Sequence, residues 1–242
     1  LSADKKRICL WSSPRNISTA LMYSFAQRSD TRVVDEPLYG HYLRISGAMH
    51  PGRDEILLNM ETDGSKVVSE VMFGDFEEDI LFLKQMTHHL VDIDTSFLNE
   101  MINVILIRDP YQLISSFHQI IPDVTMTDVG VEKQYVLFTE LVSNGQYPIV
   151  IDSGEILKSP RIVLTELCKR IGIDFQESML TWEPGPIPED GIWAKHWYSN
   201  VHKSTGFEKQ HTSSRKLPEE LIPLYEQCKL HYEELFKHSI KS

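Results

Sequence analysis

The 242-residue sequence is short of cysteine and of long apolar runs, and each shortage narrows the class of protein. Its three cysteines, Cys9, Cys168 and Cys228, are far apart and form no CxxC pair, so we expect buried, reduced thiols. No apolar run approaches the roughly 20 residues that a bilayer-spanning helix needs. No charged-then-apolar leader opens the chain. We therefore expect a soluble cytoplasmic protein without a membrane partner.

Positive charge is also scarce. The 24 lysines and arginines are outnumbered by 35 aspartates and glutamates, which gives a net charge of −11. A general nucleic-acid binder needs an excess of Lys and Arg to neutralise phosphates, so the composition argues against this class, although it allows a local basic pocket. The length and the 41% hydrophobic content suit one α/β domain over residues 1–242. The sequence carries no signal for an oligomeric state.

Strand and helix patterns alternate along the chain and predict a three-layer α/β fold, with a central parallel sheet of about five strands between helices. Ligands of such a sheet bind beyond the carboxyl ends of the strands. The late segment, residues 181–214, is predicted to be irregular because its prolines repeatedly fix φ and remove backbone donors. The predicted strands cover residues 7–11, 31–35, 80–84, 103–107 and 148–152, and the predicted helices cover 18–28, 53–60, 65–73, 111–121, 131–143, 160–171 and 217–236.

A tight polar turn follows the first predicted strand and begins a helix; its residues are Pro14, Arg15, Asn16, Ile17, Ser18 and Thr19. Backbone N–H groups at a helix N-terminus can bind an anion, and here a cation and two hydroxyls are added. A nucleotide-triphosphate loop of the type GxxxxGK[ST] would need glycines and a lysine that this turn lacks, so a metal-dependent kinase or nucleotidase is disfavoured. The alternative is an ordinary strand-to-helix turn with Ser18 as its N-cap.

A second cation with hydroxyls follows the fourth predicted strand. Arg108 ends this strand, and Ser115 and Ser116 come about two helical turns later. A guanidinium at a strand end can bind a phosphate through two hydrogen bonds. The alternative is a surface arginine with two solvated serines. Two anion sites at two strand ends would suit one ligand with phosphate-like groups at both ends.

In their order and spacing, these two elements resemble the motifs of the sulfotransferase family, which uses 3′-phosphoadenosine 5′-phosphosulfate (PAPS) as co-substrate and needs no metal. The resemblance implies a P-loop-like sulfotransferase fold. It assigns the 5′-phosphosulfate to residues 14–19 and the 3′-phosphate to Arg108 and Ser116. A third match runs from residue 149 to residue 168 and looks like the family's last core strand and the helix after it.

The late segment carries a fourth match, to a less-characterised bacterial and plant branch of the family. Residues 197–207 read Trp-Tyr-Ser-Asn-Val-His-Lys-Ser-Thr-Gly-Phe. In the family a late basic loop closes over the 3′-phosphate, so the resemblance implies this role for Lys203, Ser204 and Thr205.

The resemblance also implies catalytic roles. Glu36, which precedes a proline at the end of the second predicted strand, corresponds to the general base of carbohydrate-modifying members. Lys84 and Arg15 would stabilise the charge that develops on the leaving oxygen. Met86 stands where the small-phenol enzymes carry a catalytic histidine, so His88 or His89 is the alternative base.

Ile17 departs from the family pattern, because many relatives have glycine at this position. A β-branched residue tolerates positive φ poorly, so we expect a different backbone path in the turn. The sequence thus predicts transfer of a sulfuryl group from PAPS to a hydroxyl or amine of a small-molecule or glycan acceptor. The alternatives are a non-catalytic nucleotide-binding protein that retains the fold, and a P-loop kinase or nucleotidase.

Overall fold

Five parallel strands form the sheet of the computed structural model, which describes residues 5–119, 123–208 and 216–242. The strand order is β2-β3-β1-β4-β5, so β1 lies in the middle. The prediction of a parallel α/β sheet is confirmed, and each predicted strand overlaps an observed one. The strands are β1 (Lys6–Ser12), β2 (Thr31–Asp35), β3 (Ile80–Met86), β4 (Ile102–Ile107) and β5 (Ile149–Asp152).

Helices follow most strands and return the chain to the start of the next one. The longest are amphipathic, and α9 shows why it begins and ends where it does: Pro160 occupies its first turn, and Gly172 adopts φ of 80° just after its end. The α-helices of the described residues are α1 (Ser18–Ala26), α2 (Tyr39–Ser46), α3 (Arg53–Asn59), α4 (Gly64–Lys66), α5 (Pro110–Phe117), α6 (Met126–Val129), α7 (Val131–Ser143), α8 (Ser153–Lys158), α9 (Pro160–Ile171), α10 (Ala194–Trp197) and α11 (Ile222–Lys237).

Both faces of the sheet are buried, which explains why the middle residues of its strands are mostly consecutive apolar ones and do not alternate with polar residues. Side chains alternate along β1, so that Ile8 and Leu10 join the core on one face while Cys9 and Trp11 join the core on the other. Cys9, Cys168 and Cys228 are free and buried, as expected. Among the described residues, no helix is both long and apolar enough to cross a bilayer.

The helix predictions were less accurate at their ends. The helix predicted over 65–73 is the short α4 followed by a π-helical stretch, Val67–Met72. The last helix begins at Ile222 after a 3₁₀ turn, not at residue 217. The helix predicted over 111–121 ends at Phe117, and residues 120 and 121 lie outside the described residues.

Candidate active site

The carboxyl end of β1 is the centre of the candidate site. Ser12, the last residue of β1, is in register with Met86 of β3 on one side and with Leu106 of β4 on the other. The chain leaves β1 for the outer strand β2 and later crosses to β4 on the opposite side. A sheet whose connections diverge in this way opens a crevice beyond these strand ends, and ligands of α/β proteins bind there.

The first turn, residues 13–17, lies at this point and contains a strained residue. Arg15 has a φ of 56°, in the left-handed region that favours glycine. Ile17 has a φ of −92°, which a β-branched residue adopts without strain, and the left-handed residue of this turn is Arg15. Asn16 holds the turn in place: its Oδ1 accepts from the Ile17 N–H at 2.9 Å, and its Nδ2 donates to the Leu106 carbonyl at 3.2 Å.

The start of α1 bears on the choice between an anion site and an ordinary strand-to-helix turn capped by Ser18. Ile17, not Ser18, is the N-cap, and it makes no side-chain capping hydrogen bond. Ser18 and Thr19 instead begin the helix itself. The first N–H groups of α1 therefore have no capping side chain at Ile17, and such groups can bind an anion.

Arg15, Arg108 and Ser116 lie together beside the first turn. Arg15 Nε donates to Ser116 Oγ at 3.2 Å, and Arg108 Nη1 donates to the Arg15 carbonyl oxygen. Burial lowers the pKa of Arg108, and the neighbouring charge of Arg15 lowers it further. An anion near two adjacent guanidinium groups would offset their mutual repulsion.

Two buried hydroxyls at this place have no hydrogen-bond partner among the residues that the structure describes. They belong to Ser13, the first residue of the turn, and to Ser115, the neighbour of Ser116 on α5. A buried polar atom without a partner costs free energy and is unusual in a native protein. Both hydroxyls therefore have hydrogen-bonding capacity that the other described residues do not use.

Lys84 forms a buried cluster on the β2 side of the crevice. Asp35 of β2 is its register partner, and Lys84 Nζ lies 3.0 Å from Asp35 Oδ1. The ammonium also donates to Glu36 Oε1 and, at 2.6 Å, to Tyr198 Oη. Burial would lower the pKa of Lys84, but the carboxylates of Asp35 and Glu36 outweigh it and raise that pKa. Lys84 is thus a charged residue inside β3, not the free cation at a strand end that the sequence predicts.

Glu36 follows β2 directly and is strained and buried. Its φ is 39°, its N–H donates to the Lys84 carbonyl at 2.8 Å, and only 6% of its surface is exposed. Burial raises the pKa of Glu36, Lys84 opposes this rise, and Asp35 adds to it. A carboxyl whose pKa is raised toward neutrality is a better general base than an ordinary glutamate.

Aromatic and imidazole rings pack beside Glu36. His89 Nε2 lies 3.8 Å from Glu36 Oε2, and the His89 ring stacks on Tyr39 with 5.0 Å between centroids. His88 packs edge-on against Tyr42, on which the His89 ring also stacks. Burial lowers the pKa of His89 far below its usual value and that of His88 to about 3, so both are neutral at pH 7. The geometry therefore favours His89 over the predicted His88 as the histidine near the base.

The late segment is described as far as residue 208, and its remaining residues to 214 lie outside the described residues. It is fastened to the end of β2, because the Gly191 N–H donates to Asp35 Oδ2 at 3.1 Å and Tyr198 Oη donates to the same oxygen at 2.7 Å. It is fastened to α1 as well, because Tyr23 donates to Asp190 Oδ2 at 2.7 Å.

Lys203, Ser204 and Thr205 follow this fastened part. Trp182 Nε1 donates to Ser204 Oγ at 3.2 Å, and the Trp182 N–H donates to the Thr205 carbonyl at 3.1 Å. Lys203 ends a 3₁₀ turn that begins at Val201. These bonds join the stretch to the start of the late segment, and its closure over a 3′-phosphate stays a prediction.

Asp35 and Tyr198 belong to the site and were missed as members of it by sequence reasoning. The signal for Asp35 is its position: it ends the strand next to the one that holds Lys84, and parallel strands that start together place such residues side by side. Tyr198 lies 114 residues from Lys84 in the chain, and although it belongs to the matched run of residues 197–207, nothing in that run indicates a contact with Lys84. The described residues contain no group of three or more His, Cys, Asp or Glu side chains that could hold a metal ion.

Comparison with known proteins finds relatives that match most of this chain. Two Arabidopsis thaliana proteins, named branched-chain-amino-acid aminotransferase-like protein 2 and protein 1, are 41% and 39% identical over 90% and 98% of this chain. The chain spans only 39% and 43% of their respective lengths.

The fold and the family follow from two further findings. The solved sulfotransferase domain from the curacin biosynthetic pathway has the same fold, with a TM-score of 0.61 and 16% identity over 98% of this chain and 99% of that one. A family model described as a sulfotransferase domain matches residues 6–226. Because this match covers most of the sequence, the chain belongs to the sulfotransferase family.

Proposed function

We propose that this chain transfers a sulfuryl group from PAPS to a hydroxyl or amine of a small-molecule or glycan acceptor. The observation that carries the proposal is the contact of Arg15 with Arg108 and Ser116 at the strand ends, within a member of the sulfotransferase family. The two predicted anion sites are then neighbouring parts of one site, as a nucleotide with phosphate at both ends of its ribose requires.

The residues around the first turn suit such a nucleotide. Arg15, Ser18, Thr19 and the N–H groups of α1 would hold the 5′-phosphosulfate, together with Pro14, Asn16 and Ile17 as the backbone of the turn. Arg108 and Ser116 would hold the 3′-phosphate. The unpartnered hydroxyls of Ser13 and Ser115 support this assignment, since phosphate oxygens would supply the missing partners.

Glu36 is the proposed general base. Its Oε1 accepts from Lys84, so Oε2, on the side of His89, is the oxygen that would take the proton of the acceptor. As the acceptor oxygen or nitrogen bonds to sulfur, the bond from sulfur to the bridging phosphate oxygen breaks in line, and its electron pair stays on adenosine 3′,5′-bisphosphate. Arg15 would stabilise the charge on that oxygen.

The main role of Lys84 in this proposal is to position Glu36. All three of its N–H groups have partners in the cluster, so its prediction as the cation on the leaving oxygen requires that one partner give way. Its contribution in the described arrangement is to orient Glu36 and to neutralise part of the charge of the two carboxylates.

A cytoplasmic location is part of the proposal. Support comes from Cys9, Cys168 and Cys228, which are free, as is usual for proteins of a reducing compartment.

The test combines binding with transfer. Adenosine 3′,5′-bisphosphate should release heat on titration and raise the melting temperature, whereas adenosine 5′-monophosphate, which lacks the 3′-phosphate, should do so only weakly. PAPS labelled in its sulfur should then label an acceptor from panels of phenols, alcohols, amines and glycans. Absence of binding at millimolar bisphosphate contradicts the proposal. Binding without transfer favours the non-catalytic alternative, and Mg²⁺-dependent hydrolysis of ATP favours the kinase or nucleotidase.

A further inference from the structure

We propose that Tyr198 is the positioning residue of the active site, which holds Lys84 and Asp35 in place and so fixes the oxygen atoms of Glu36. This inference rests on the proposed function for its meaning in catalysis, but its geometry stands on its own. Tyr198 belongs to the late segment. This segment would therefore position the catalytic carboxyl group in addition to binding the nucleotide.

The hydroxyl of Tyr198 uses its full capacity for hydrogen bonds. A phenol has one donor and two acceptor positions. Tyr198 donates to Asp35 Oδ2 at 2.7 Å, and it accepts from Lys84 Nζ at 2.6 Å and from Trp193 Nε1 at 3.1 Å. A hydroxyl with three partners in fixed directions has one orientation, so it defines where each partner lies.

The ammonium of Lys84 is saturated in the same way. Its three N–H groups point to Asp35, Glu36 and Tyr198, which leaves no proton for water. None of the Lys84 surface is exposed, and Asp35 and Tyr198 are 6% and 5% exposed. Tyr198 is the one neutral partner among the three. Without it the ammonium would be free to turn between the two carboxylates.

The position of Glu36 depends on this arrangement. Its backbone has φ of 39°, and its Oε1 is held by Lys84, so any rotation of the ammonium moves the carboxyl group. The titratable groups that face Glu36 are Asp35, Lys84, His89, Tyr39 and Tyr198. Tyr198 orients the ammonium of Lys84, whose charge favours the ionised form of Glu36, so loss of the hydroxyl should raise the pKa of Glu36.

Trp193 and Gly191 show that this part of the late segment is built to reach the cluster. Trp193, 3% exposed, donates to the Tyr198 hydroxyl, and the Gly191 N–H donates to Asp35 Oδ2. A Cβ atom at Gly191 would lie 2.1 Å from the Trp193 ring, so only glycine permits this approach. The segment thus places two donors on Asp35.

The test compares Tyr198→Phe with Tyr23→Phe. Both changes remove one buried hydroxyl that ties the late segment to the body of the protein, but Tyr23 bonds to Asp190 and not to Lys84. In Tyr198→Phe we expect kcat to fall about 10- to 100-fold, the range for losing a hydrogen bond to a charged group, with an unchanged KM for PAPS. The acid limb of the kcat/KM profile should move to higher pH. Tyr23→Phe should keep the limb in place.

A second readout does not depend on activity. A saturated, buried ammonium exchanges its protons slowly, so Lys84 should give a separate signal in a ¹H–¹⁵N spectrum of lysine ammonium groups, absent in Lys84→Arg. The signal should broaden or vanish in Tyr198→Phe and persist in Tyr23→Phe. An unchanged signal in Tyr198→Phe overturns the inference, as does an equal loss of kcat in the two variants. If the unaltered protein neither binds the bisphosphate nor transfers sulfur, the proposed function fails, and the ammonium signal still decides the role of Tyr198.

Discussion

The guanidinium of Arg108 donates a hydrogen bond to the backbone carbonyl of Arg15, at the residue whose φ is 56°. The two cations that sequence motifs assign to opposite ends of one nucleotide therefore adjoin each other. One of them also supports the strained backbone of the other. A substitution of Arg108 should therefore alter the conformation of the first turn as well as ligand binding.

Replacing Arg108 by lysine should weaken the binding of adenosine 3′,5′-bisphosphate. Lysine keeps the charge but loses the planar fork, so we expect the Kd to rise about 10- to 100-fold, as for the loss of a hydrogen bond between charged groups. Calorimetric titration measures this change. Arg32→Lys, at an exposed position of β2, is the control and should leave the Kd as it is. Equal affinity of Arg108→Lys and the unaltered protein would remove Arg108 from the site.

Glu36→Gln should abolish most of the turnover without loss of nucleotide binding. The amide keeps the shape and the contact with Lys84 but cannot accept the acceptor's proton, so kcat should fall by about 10²- to 10⁴-fold. The exposed Glu183→Gln is the control. Steady-state assays of sulfur transfer give kcat and KM for each variant, and normal turnover in Glu36→Gln would show that another group is the base.

The activity should be lost in acid at a higher pH than for an ordinary glutamate. Glu36 acts as a base only when ionised, and burial raises its pKa. The kcat/KM should therefore be full above this raised pKa and fall as the pH drops through it. We expect a midpoint above about 4.3, the usual value for glutamate. A midpoint at or below that value would mean that Lys84 outweighs burial.

Buried histidines should make the fold sensitive to mild acid. The pKa of His88 is lowered to about 3 and that of His89 lies well below its usual value, whereas both titrate near 6.5 in the unfolded chain. Below pH 6.5 the two histidines bind protons in the unfolded state but stay neutral in the folded state. The free energy of unfolding should then fall by up to about 1.4 kcal/mol per pH unit for each histidine. Urea denaturation from pH 7.5 to 5 measures this slope.

His89→Gln provides the check on that slope. It should reduce the pH dependence by about one proton, whereas a change of the exposed His196 to glutamine should leave the dependence as it was. The same slope in all three proteins would contradict the burial of a neutral His89.

Lys84→Met should destabilise the fold as well as the activity. It leaves the buried carboxylates of Asp35 and Glu36 without their cation, and breaking a buried ion pair costs about 3–5 kcal/mol. Adding Asp35→Asn to Lys84→Met should recover part of this loss, because the uncompensated charge is removed. Denaturant midpoints of the single variant, the double variant and the unaltered protein measure these differences in stability. A stable single variant would mean that Lys84 contributes little to the cluster.

The parallel sheet could be predicted from sequence because its strands are short, mostly apolar runs that alternate with helices. The strand order was not predicted, since alternation does not show on which side of β1 each later strand pairs. The end of β3 was misjudged for a physical reason. A lysine looks like the end of a buried strand, yet β3 continues to Met86. The carboxylates that make a buried Lys84 tolerable come from Asp35, the last residue of β2, and from Glu36, which follows it, and they reach Lys84 only after the strands pair.

The site was predictable where it depends on strand ends and unpredictable where it depends on the late segment. Arg15, Arg108 and Ser116 meet because parallel strands bring their carboxyl ends together. Tyr198 reaches Asp35 across 163 residues of sequence, through a stretch that has no periodic pattern. The choice of His89 over His88 depends on ring packing, which alternates from one residue to the next and cannot be inferred from two adjacent histidines.

Arg15 and Glu36 both adopt left-handed backbone conformations, although each is a residue with a long side chain. Such a conformation costs about 1 kcal/mol or more for residues other than glycine. A laboratory selection for heat resistance alone would therefore favour glycine or asparagine at these two positions and discard the guanidinium and the carboxyl group. Libraries that aim at a hardier catalyst should hold these two codons constant and vary the remainder.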